Sequence, residues 1–484
     1  MANRRNPRRK RVRRKLTAHS EHAPLAALAP IIAEKEIFSP IHRHIEIPQK
    51  TVDYRPTDKL VFVVLGILAG AETVYDINHT LRVDEPLLRA FGYDGCADQS
   101  VIQRTLSASV SENVVQFEDA LQQIWTQHNR CVALLKDATQ AQKIVTIDID
   151  LSGHPASKNA QGASKGYFPG KRHIYGRQLA RVVFPDTSEI VAEALYPGNT
   201  LSMEVFKQMV AKMEKRLCQK TKAQRQLIRL RLDAGFGTDA NINYALWRGY
   251  ELLAKMFSGN RAKVLVRSVT QWVDAPTRTQ HAKNQPATRQ AGWVTNPHRY
   301  MRKTRQFAIR IENPKRKGGY CYSVIVTTDM GSDLTTLLFD YDARGGVPES
   351  SFCQSNQGLA QRKRRKHKFV AQQMLTLLSQ LAHNLVIWLK RWTTDALQRQ
   401  AATETDAGAD SLVQSLQLAI KTISGYGIKR FVRQILGLGG KVIIKGHQVK
   451  RLILHRLYPM IDRIQTALYA LLTPYRVGVS VSKT

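Results

Sequence analysis

The stretch LIRLRLDAGFG, residues 227–237, decides how the rest of the chain is interpreted. Apolar residues alternate with Arg229, Arg231 and Asp233, and this period of two predicts a half-buried β-strand. The segment Ala-Gly-Phe-Gly follows and indicates a turn. A lone carboxylate is therefore expected at the end of a strand in a strongly basic chain, and its neighbours should explain its role.

The composition predicts a globular protein with a polyanionic partner. The chain has 484 residues, of which 43% are hydrophobic and 23% charged. This length is enough for roughly two to four domains. Lys and Arg total 73 against 38 Asp and Glu, a formal charge of +35 at pH 7. A surplus of this size fits DNA, RNA or an anionic membrane surface.

Several classes of protein are disfavoured by the sequence. The apolar run LVFVVLGILAGA (60–71) is shorter than the ~20 residues that a membrane-spanning helix needs. The basic N-terminus is not followed by an apolar segment with a cleavage site, so we do not expect a signal peptide. The five cysteines lie far apart, which argues against structural zinc and a disulfide framework. We expect a cytoplasmic protein without a membrane partner.

Charge and periodicity divide the chain into six predicted regions. They are a basic disordered arm (1–16), a helical DNA-binding domain (17–138), the first part of an α/β core (139–258), a β-rich insertion (259–338), the last, helical part of the core (339–395) and a mixed helical C-terminal region (396–484). The strongest helical pattern covers residues 366–392. The region 17–138 fits either a helix-turn-helix DNA reader or a packing domain, and the sequence leaves both open.

A second predicted strand also carries acids. In QKIVTIDIDLSG, residues 142–153, the alternation puts Asp148 and Asp150 on one face. A hairpin, a helix and the strand that ends at Asp233 follow in that order. Carboxylates that meet at a sheet need a cation, and their hard oxygens favour Mg²⁺, with Mn²⁺ as a substitute. Such ions serve phosphoryl transfer, whereas the alternative is that each acid is a turn residue bound to local N–H groups.

Four motifs in this order resemble the insertion-sequence DDE transposases of the Tyr-Arg-Glu-Lys signature subgroup. The motifs are TIDIDLSG (146–153), LYPGN (195–199), RLDAGFG (231–237) and YDARGGVPESSFCQSNQGL (341–359). The resemblance covers roughly residues 140–390. It implies an α/β fold with an RNase H-like (retroviral-integrase-like) core and a β-rich insertion, beside a helical N-terminal domain and a mixed C-terminal region.

The resemblance also implies the site residues. Asp150, Asp233 and Glu349 correspond to the catalytic acids that bind the metal ions. Asp148 competes with Asp150 for the first position, because both lie on one face of the strand. In the family the first Asp stands just before Ser or Thr. That favours Asp150, which only one residue separates from Ser152.

The same resemblance implies DNA contacts around the third acid. Tyr341 and Arg344 correspond to the signature's DNA-contacting pair, with a packed Tyr and a surface Arg as the alternative. The chain departs from the signature in two ways: four residues instead of three separate Arg344 from Glu349, and Asn356 stands in place of the Lys. The nearby run QRKRRKHK could supply charge to DNA, or it is a solvated helix start; its candidates are Arg362, Lys363 and Arg364.

Two tryptophans of the predicted insertion, Trp272 and Trp293, are candidates for stacking on a flipped base. Core packing is the alternative for both. The resemblance implies a Mg²⁺-dependent DNA transposase that cleaves the ends of its element and joins them to target DNA. Its partners would be double-stranded DNA and, in the synaptic complex, a second copy of the chain, and the resemblance implies a bacterial, nucleoid-associated protein. The departures from the signature also fit a catalytically inactive DNA-binding relative, and a nuclease without strand transfer is a third hypothesis.

Overall fold

The computed structural model describes residues 15–50, 53–166, 168, 174–275, 288–315, 318–346, 348–406 and 410–482. The chain is a mixed α/β protein that divides into two compact units. Residues 1–128 and 354–484 form the first, here called the terminal unit, and residues 129–353 form the central unit. The helical N-terminal region and the C-terminal region thus share one unit.

The N-terminal part of the terminal unit is a single strand followed by helices. Its elements are β1 (Lys15–Ser20), α1 (Ala23–Ala27), α2 (Ala29–Glu34), α3 (Ser39–His44), α4 (Pro56–Leu68), α5 (Glu85–Ala90), α6 (Gln99–Ala108) and α7 (Ser111–His128). The predicted basic arm lies outside the described residues except for its last two positions, which begin β1.

The central unit alternates strands and helices. Its elements are α8 (Cys131–Gln140), β2 (Val145–Pro155), β3 (Ser164–Lys165), β4 (Tyr175–Phe184), β5 (Glu189–Pro197), α9 (Ser202–Leu217), α10 (Lys222–Arg225), β6 (Ile228–Leu232), α11 (Asp239–Arg248), β7 (Glu251–Lys255), α12 (Gly259–Leu265), β8 (Val273–Asp274), β9 (Arg289–Trp293), β10 (Arg305–Glu312), β11 (Tyr320–Thr327) and α13 (Leu334–Gly346). The next helix, α14 (Pro348–Gly358), contains the point in the sequence at which the units divide.

The C-terminal part of the terminal unit contains a long helix and a small sheet. Its elements are α15 (Phe369–Asp406), α16 (Asp410–Ser424), α17 (Ile428–Phe431), β12 (Gly440–Lys445), β13 (Gln448–Leu454), α18 (Ile461–Leu472) and β14 (Gly478–Val481). A π-helical turn, Val432–Leu436, follows α17, and 3₁₀ turns occur at Tyr75–Asn78, Val266–Ser268, Gln361–Lys363 and Thr473–Tyr475. Helix α15 confirms the predicted helical pattern from residue 369 onward and continues to residue 406, beyond its predicted end at 392.

The long helix α15 is the core of the terminal unit. Its first half is almost entirely buried, and α4, α6, α7, α16 and α18 pack around it. The small sheet has the order β1-β12-β13-β14, so that a strand from the N-terminus completes a C-terminal hairpin. None of the helices in the described part of the chain combines the length and apolar character needed to cross a membrane.

One ten-stranded mixed sheet organises the central unit. Its strand order is β3-β4-β2-β6-β7-β11-β10-β9-β8, with β5 paired to β4. Strand β2 is antiparallel to β4 and parallel to β6, and β6 is parallel to β7. The strands of the predicted β-rich insertion extend this same sheet, because β11 pairs with β7.

Strand β6, at the centre of the sheet, corrects one expectation. The alternation of charges predicts a half-buried strand, but every residue of β6 is buried. Arg229 donates to Asp329 and Asp340 at 2.8 and 3.0 Å, and Arg231 binds Asp148. A buried charge is tolerated when it is paired and hydrogen-bonded, so the polar face of this strand is internal and ion-paired.

The turn after β6 and the helix that follows are formed by local sequence signals. The hydroxyl of Thr238 accepts from the backbone N–H of Asn241 and caps the start of α11. Gly249 ends the helix in the left-handed conformation at φ +100°, which suits glycine. Thr238 and Gly249 thus mark the two ends of α11, which follows the Asp233 turn after β6.

Candidate active site

Asp150 and Asp233 lie side by side at neighbouring positions of two parallel strands. The register of β2 and β6 pairs Ile149 with Leu232; Asp150 is the next residue of β2, and Asp233 directly follows the end of β6. Ile149 and Leu232 are fully buried in the core. Because successive side chains alternate between the faces of a sheet, both acids are directed to the face opposite this core.

The guanidinium of Arg344, on α13, lies between the two acids. Its Nη2 is 2.9 Å from Oδ1 of Asp150 and 3.9 Å from Oδ2 of Asp233. The two carboxylate oxygens are therefore no further apart than these two contacts combined. Burial alone would lower the pKa of Arg344, but the charges of Asp150 and Asp233 outweigh it and raise the pKa above its ordinary value.

Asp148, the competitor for the first position, has a different environment. It is fully buried, and Arg231 donates to both of its oxygens, from Nε at 2.6 Å and from Nη2 at 2.7 Å. The two residues are direct neighbours in the register of β2 and β6. Asp148 thus forms a two-point ion pair inside the sheet, whereas the side chain of Asp150 is 16% exposed.

Asp233 makes the local turn contact that the sequence offers as one alternative, and it also lies near Arg344. Its Oδ1 accepts from the backbone N–H of Phe236 at 3.3 Å, and its Oδ2 is the oxygen near Arg344. The side chain is 37% exposed. At Gly237 a Cβ would lie 1.8 Å from the carbonyl oxygen of Lys255, so only glycine lets this turn approach β7.

Lys255 adds a second positive group to the surroundings of Asp233. Burial lowers the pKa of Lys255, and the nearby carboxylate of Asp233 opposes that shift. The site therefore contains two acids in a setting of positive charge. An anionic substrate such as a phosphodiester is attracted to such a setting.

Ion pairs hold α13, which carries Arg344, against the sheet. Arg289 of β9 donates to Asp342 at 2.6 and 2.9 Å. Arg229 binds the carboxylate of Asp340, and Arg231 donates to the backbone carbonyl of the same residue. These ion-pair partners of α13 are not among the residues that the sequence predicts, although the alternation of arginines with Asp233 along β6 indicates a charged face of that strand.

Tyr341 is packed, as the alternative to DNA contact suggests. It lies against the hydrophobic cluster of the sheet, which includes Leu253, Phe307 and Ile325. Burial raises the pKa of Tyr341. The side chain therefore stabilises the position of α13, and Arg344 is the member of the pair that points to the acids.

The side chain of Glu349 lies outside the described residues; its backbone is in the first turn of α14. Helix α14 begins at Pro348, and proline is favoured in the first turn of a helix. Among the side chains that the structure describes, no three His, Cys, Asp or Glu converge as metal ligands. The third acid therefore stays a prediction from the sequence.

The basic run after α14 divides into exposed and buried members. Arg364 is only 2% exposed, and it donates to the backbone carbonyls of Ala71, at 3.0 Å, and of Leu359. Burial lowers its pKa to about 9. The guanidinium of Arg364 is enclosed by the chain in this structure, and its contact with DNA stays a prediction. Lys363 pairs with Glu72 at the surface.

The two other candidates in this region are less enclosed. Arg362 and Asn356 are each partly exposed in the terminal unit. Their contacts with DNA stay predictions.

The two tryptophans of the predicted insertion are covered by arginines. The guanidinium carbon of Arg310 lies 4.3 Å from the ring centre of Trp272, and that of Arg305 lies 3.7 Å from Trp293. Trp293 also meets Phe307 edge to face, with ring centres 5.9 Å apart. For Trp293 these contacts agree with core packing, the alternative to base stacking.

Comparisons with known proteins bear on the identity of the chain. A solved structure, the cryo-EM structure of a piggyBac transposase synaptic complex with hairpin DNA, covers 85% of this chain and 84% of its own. The identity is 13% and the TM-score 0.42, too low to support an argument about fold or function. No curated protein matches the chain. The family model described as transposase DDE domain group 1 matches residues 20–406, most of the length. The chain therefore belongs to this family of DDE transposases and is a DNA transposase.

Proposed function

We propose that this transposase cuts DNA at the ends of its element and joins the freed 3′-hydroxyl to target DNA, with Asp150 and Asp233 as metal-binding acids. One observation carries the proposal: two carboxylates from adjacent parallel strands share a single cationic group, the guanidinium of Arg344. Acids arranged in this way have the charge and the hard oxygen donors that Mg²⁺ or Mn²⁺ requires. The donor set therefore fits a divalent cation.

A bound divalent cation would supply Lewis-acid stabilisation of the charge that develops at a phosphodiester. Asp150 and Asp233 would hold this cation, with Glu349 as the proposed third acid. Asp148 is a poorer candidate, because Arg231 engages both of its oxygens. This contrast supports the choice of Asp150 as the first acid.

We assign the core to the RNase H-like fold. The support is the strand order β5-β4-β2-β6-β7, in which three antiparallel strands are followed by two strands parallel to β2. The proposed first acid, Asp150, then lies within β2, and the proposed second acid, Asp233, directly follows the end of β6. Membership of the Tyr-Arg-Glu-Lys subgroup is a finer proposal, and it rests on Tyr341, Arg344 and Glu349 in the sequence.

Arg344 would have two alternative partners. Without a metal its guanidinium neutralises Asp150. With a divalent cation held by the acids, the guanidinium would be available to bind a phosphate of the DNA, as the signature implies. Arg is suited to both, since its planar group binds carboxylate and phosphate with similar geometry.

Double-stranded DNA is the proposed partner, and the formal charge of +35 supports a polyanion. A synaptic complex that brings two element ends together would contain two copies of the chain. The homodimer, like the contacts of Arg362, Lys363 and Asn356 with DNA, stays a prediction from the sequence.

Strand cleavage on a labelled duplex tests the proposal. The duplex contains the end of the DNA element that encodes the chain, and the reaction contains Mg²⁺. We expect nicking by the wild type and by Asp137→Asn, which removes an exposed carboxylate from α8. Asp150→Asn and Asp233→Asn should each reduce nicking by at least about a hundredfold, because the cation loses a charged ligand.

The outcomes separate three hypotheses. Products in which the labelled strand is joined to target DNA support a transposase that carries out both steps. Cut but never joined strands would indicate a nuclease of the same fold. A wild type that binds the element end and never nicks it would indicate the catalytically inactive relative that Asn356 and the altered Arg344–Glu349 spacing also fit.

A further inference from the structure

One face of the small sheet of the terminal unit is cationic. On β12 the side chains of Val442 and Ile444 are buried, whereas Lys441 and Lys445 on the opposite face are exposed. On β13 the exposed cations are Lys450 and Arg451. We call these four residues, with their surrounding strands, the cationic sheet face.

A β-bulge increases the charge of this face. The register of β12 and β13 shifts between Ile443 and Ile444, so that Arg451 pairs with Ile443 and Lys450 has no partner of its own. As a result two consecutive cations are both exposed, where a regular strand would bury one of them. Bulges redirect side chains in this way, and here the effect is one additional positive charge on the surface.

Negative charge is scarce on the cationic sheet face. The sequences of β1, β12, β13 and β14 contain no Asp or Glu. Glu21, just beyond β1, is an acid at the border, and it pairs with His19 at 3.1 Å. Lys450 donates to Gln448, and among the described residues Lys441 and Arg451 make no ion pair.

The segment that enters this sheet is also basic. Eight of residues 1–14 are Lys or Arg, and they lead directly into β1, which pairs with β12. Like charges collected on a folded surface repel one another, so their concentration disfavours the free protein and is relieved by a polyanion. Neither the proposed catalytic site nor the packing of the terminal unit uses the four exposed side chains of the cationic sheet face.

We propose that the cationic sheet face is a second DNA-binding surface, which contacts the phosphate backbone of double-stranded DNA independently of sequence. This inference rests on the proposed function in that it takes duplex DNA as the substrate. Four strands spaced by ~4.8 Å give a face roughly 14 Å wide before its side chains are counted. The major groove is about 12 Å wide and admits two strands, so this face lies across the backbone and not in the groove.

Fluorescence anisotropy on a labelled duplex of unrelated sequence tests this surface. The test variant of the full chain is Lys441→Gln, Lys445→Gln, Lys450→Gln and Arg451→Gln combined. The matched control removes the same charge from exposed lysines of the central unit; its changes are Lys136→Gln, Lys143→Gln, Lys220→Gln and Lys222→Gln. Circular dichroism and thermal unfolding verify that both variants fold.

Each phosphate contact contributes about −0.9 to the slope of log K against log[salt], so four lost contacts should make the slope less steep by about 3.6. We expect that change, with at least a tenfold loss of affinity at low salt, in the test variant and a much smaller one in the control. The same loss should occur on the element end. Equal losses in both variants, or a test variant that binds as the wild type does, would overturn the proposal. So would a loss confined to anionic vesicles or RNA.

The nicking assay separates this inference from the proposed function. If the wild type nicks the element end and the test variant binds duplex DNA unchanged, only the cationic sheet face is refuted. If the wild type binds no duplex DNA, the proposed function fails first.

Discussion

Replacement of Arg344 by Gln should increase the affinity of the free protein for Mn²⁺. In the wild type the cation must displace a guanidinium that is 2.9 Å from Asp150. Hydrogen bonds to charged groups are worth about 1.5–3 kcal/mol, and both side chains are mostly buried, at 13% and 16% exposed. The contact with Asp233, at 3.9 Å, is too long for a hydrogen bond and adds only a smaller attraction.

The expected gain follows from this energy. At about 1.4 kcal/mol per factor of ten, removal of the competing cation should tighten Mn²⁺ binding by about 10- to 100-fold. Calorimetry, or electron paramagnetic resonance of free Mn²⁺, measures this on the full chain without DNA. Arg299→Gln, an exposed arginine of the central unit, is the control for net charge and should bind as the wild type does.

The variant Arg344→Lys completes the series. It keeps the charge without the planar group, so its affinity for Mn²⁺ should lie between those of the wild type and Arg344→Gln. If Arg344→Gln binds Mn²⁺ with wild-type or weaker affinity, the guanidinium does not occupy the place of the metal and the reasoning is refuted.

Three further predictions concern stability and DNA binding. Arg231→Met should destabilise the chain by about 3–5 kcal/mol in urea unfolding, because the carboxylate of Asp148 stays buried without its cation. This loss of unfolding free energy should be smaller at acid pH, where Asp148 takes up a proton, and a loss independent of pH would contradict the reasoning. The double variant Asp148→Leu with Arg231→Met should recover most of the lost stability. Arg364→Met should lower the free energy of unfolding by about 1–3 kcal/mol, because the carbonyls of Ala71 and Leu359 lose their donor. If the variant also changes the salt slope of DNA binding by about one, Arg364 contacts a phosphate. Thr238→Ala should cost about 1 kcal/mol with Mn²⁺ affinity unchanged, and no measurable loss would refute the capping role.

The strands that carry the acids are predictable because their signals are local. Alternation identifies β2 and β6, and turn residues mark the end after Asp233. The order of the elements suggested that the two acids meet, and the parallel register of β2 and β6 makes Asp150 and Asp233 neighbours. The resemblance, not the periodicity, supplied the identity of the third acid.

The ion pairs around the site are not predictable from local patterns. Arg231 and Asp148 are partners only because β6 lies next to β2, and Arg289 meets Asp342 only because α13 packs near β9. Alternating charge was therefore interpreted as an exposed face, although the face is buried and paired.

Contacts between distant parts of the chain explain the remaining differences. The strand β1 forms because β12, at the other end of the sequence, offers an edge to pair with. Arg364 belongs to a basic run that looks solvated, yet the carbonyl groups of a remote loop enclose it. Both outcomes depend on tertiary packing, which can override the preference of a short segment.

Anomalous scattering from crystals soaked in Mn²⁺ tests the central claim most directly, because it locates the ion without reference to activity. We expect a manganese peak within bonding distance of carboxylate oxygens of both Asp150 and Asp233, with the guanidinium of Arg344 displaced from between them. A peak at Asp148, or ordered Mn²⁺ that contacts neither Asp150 nor Asp233, would contradict the account.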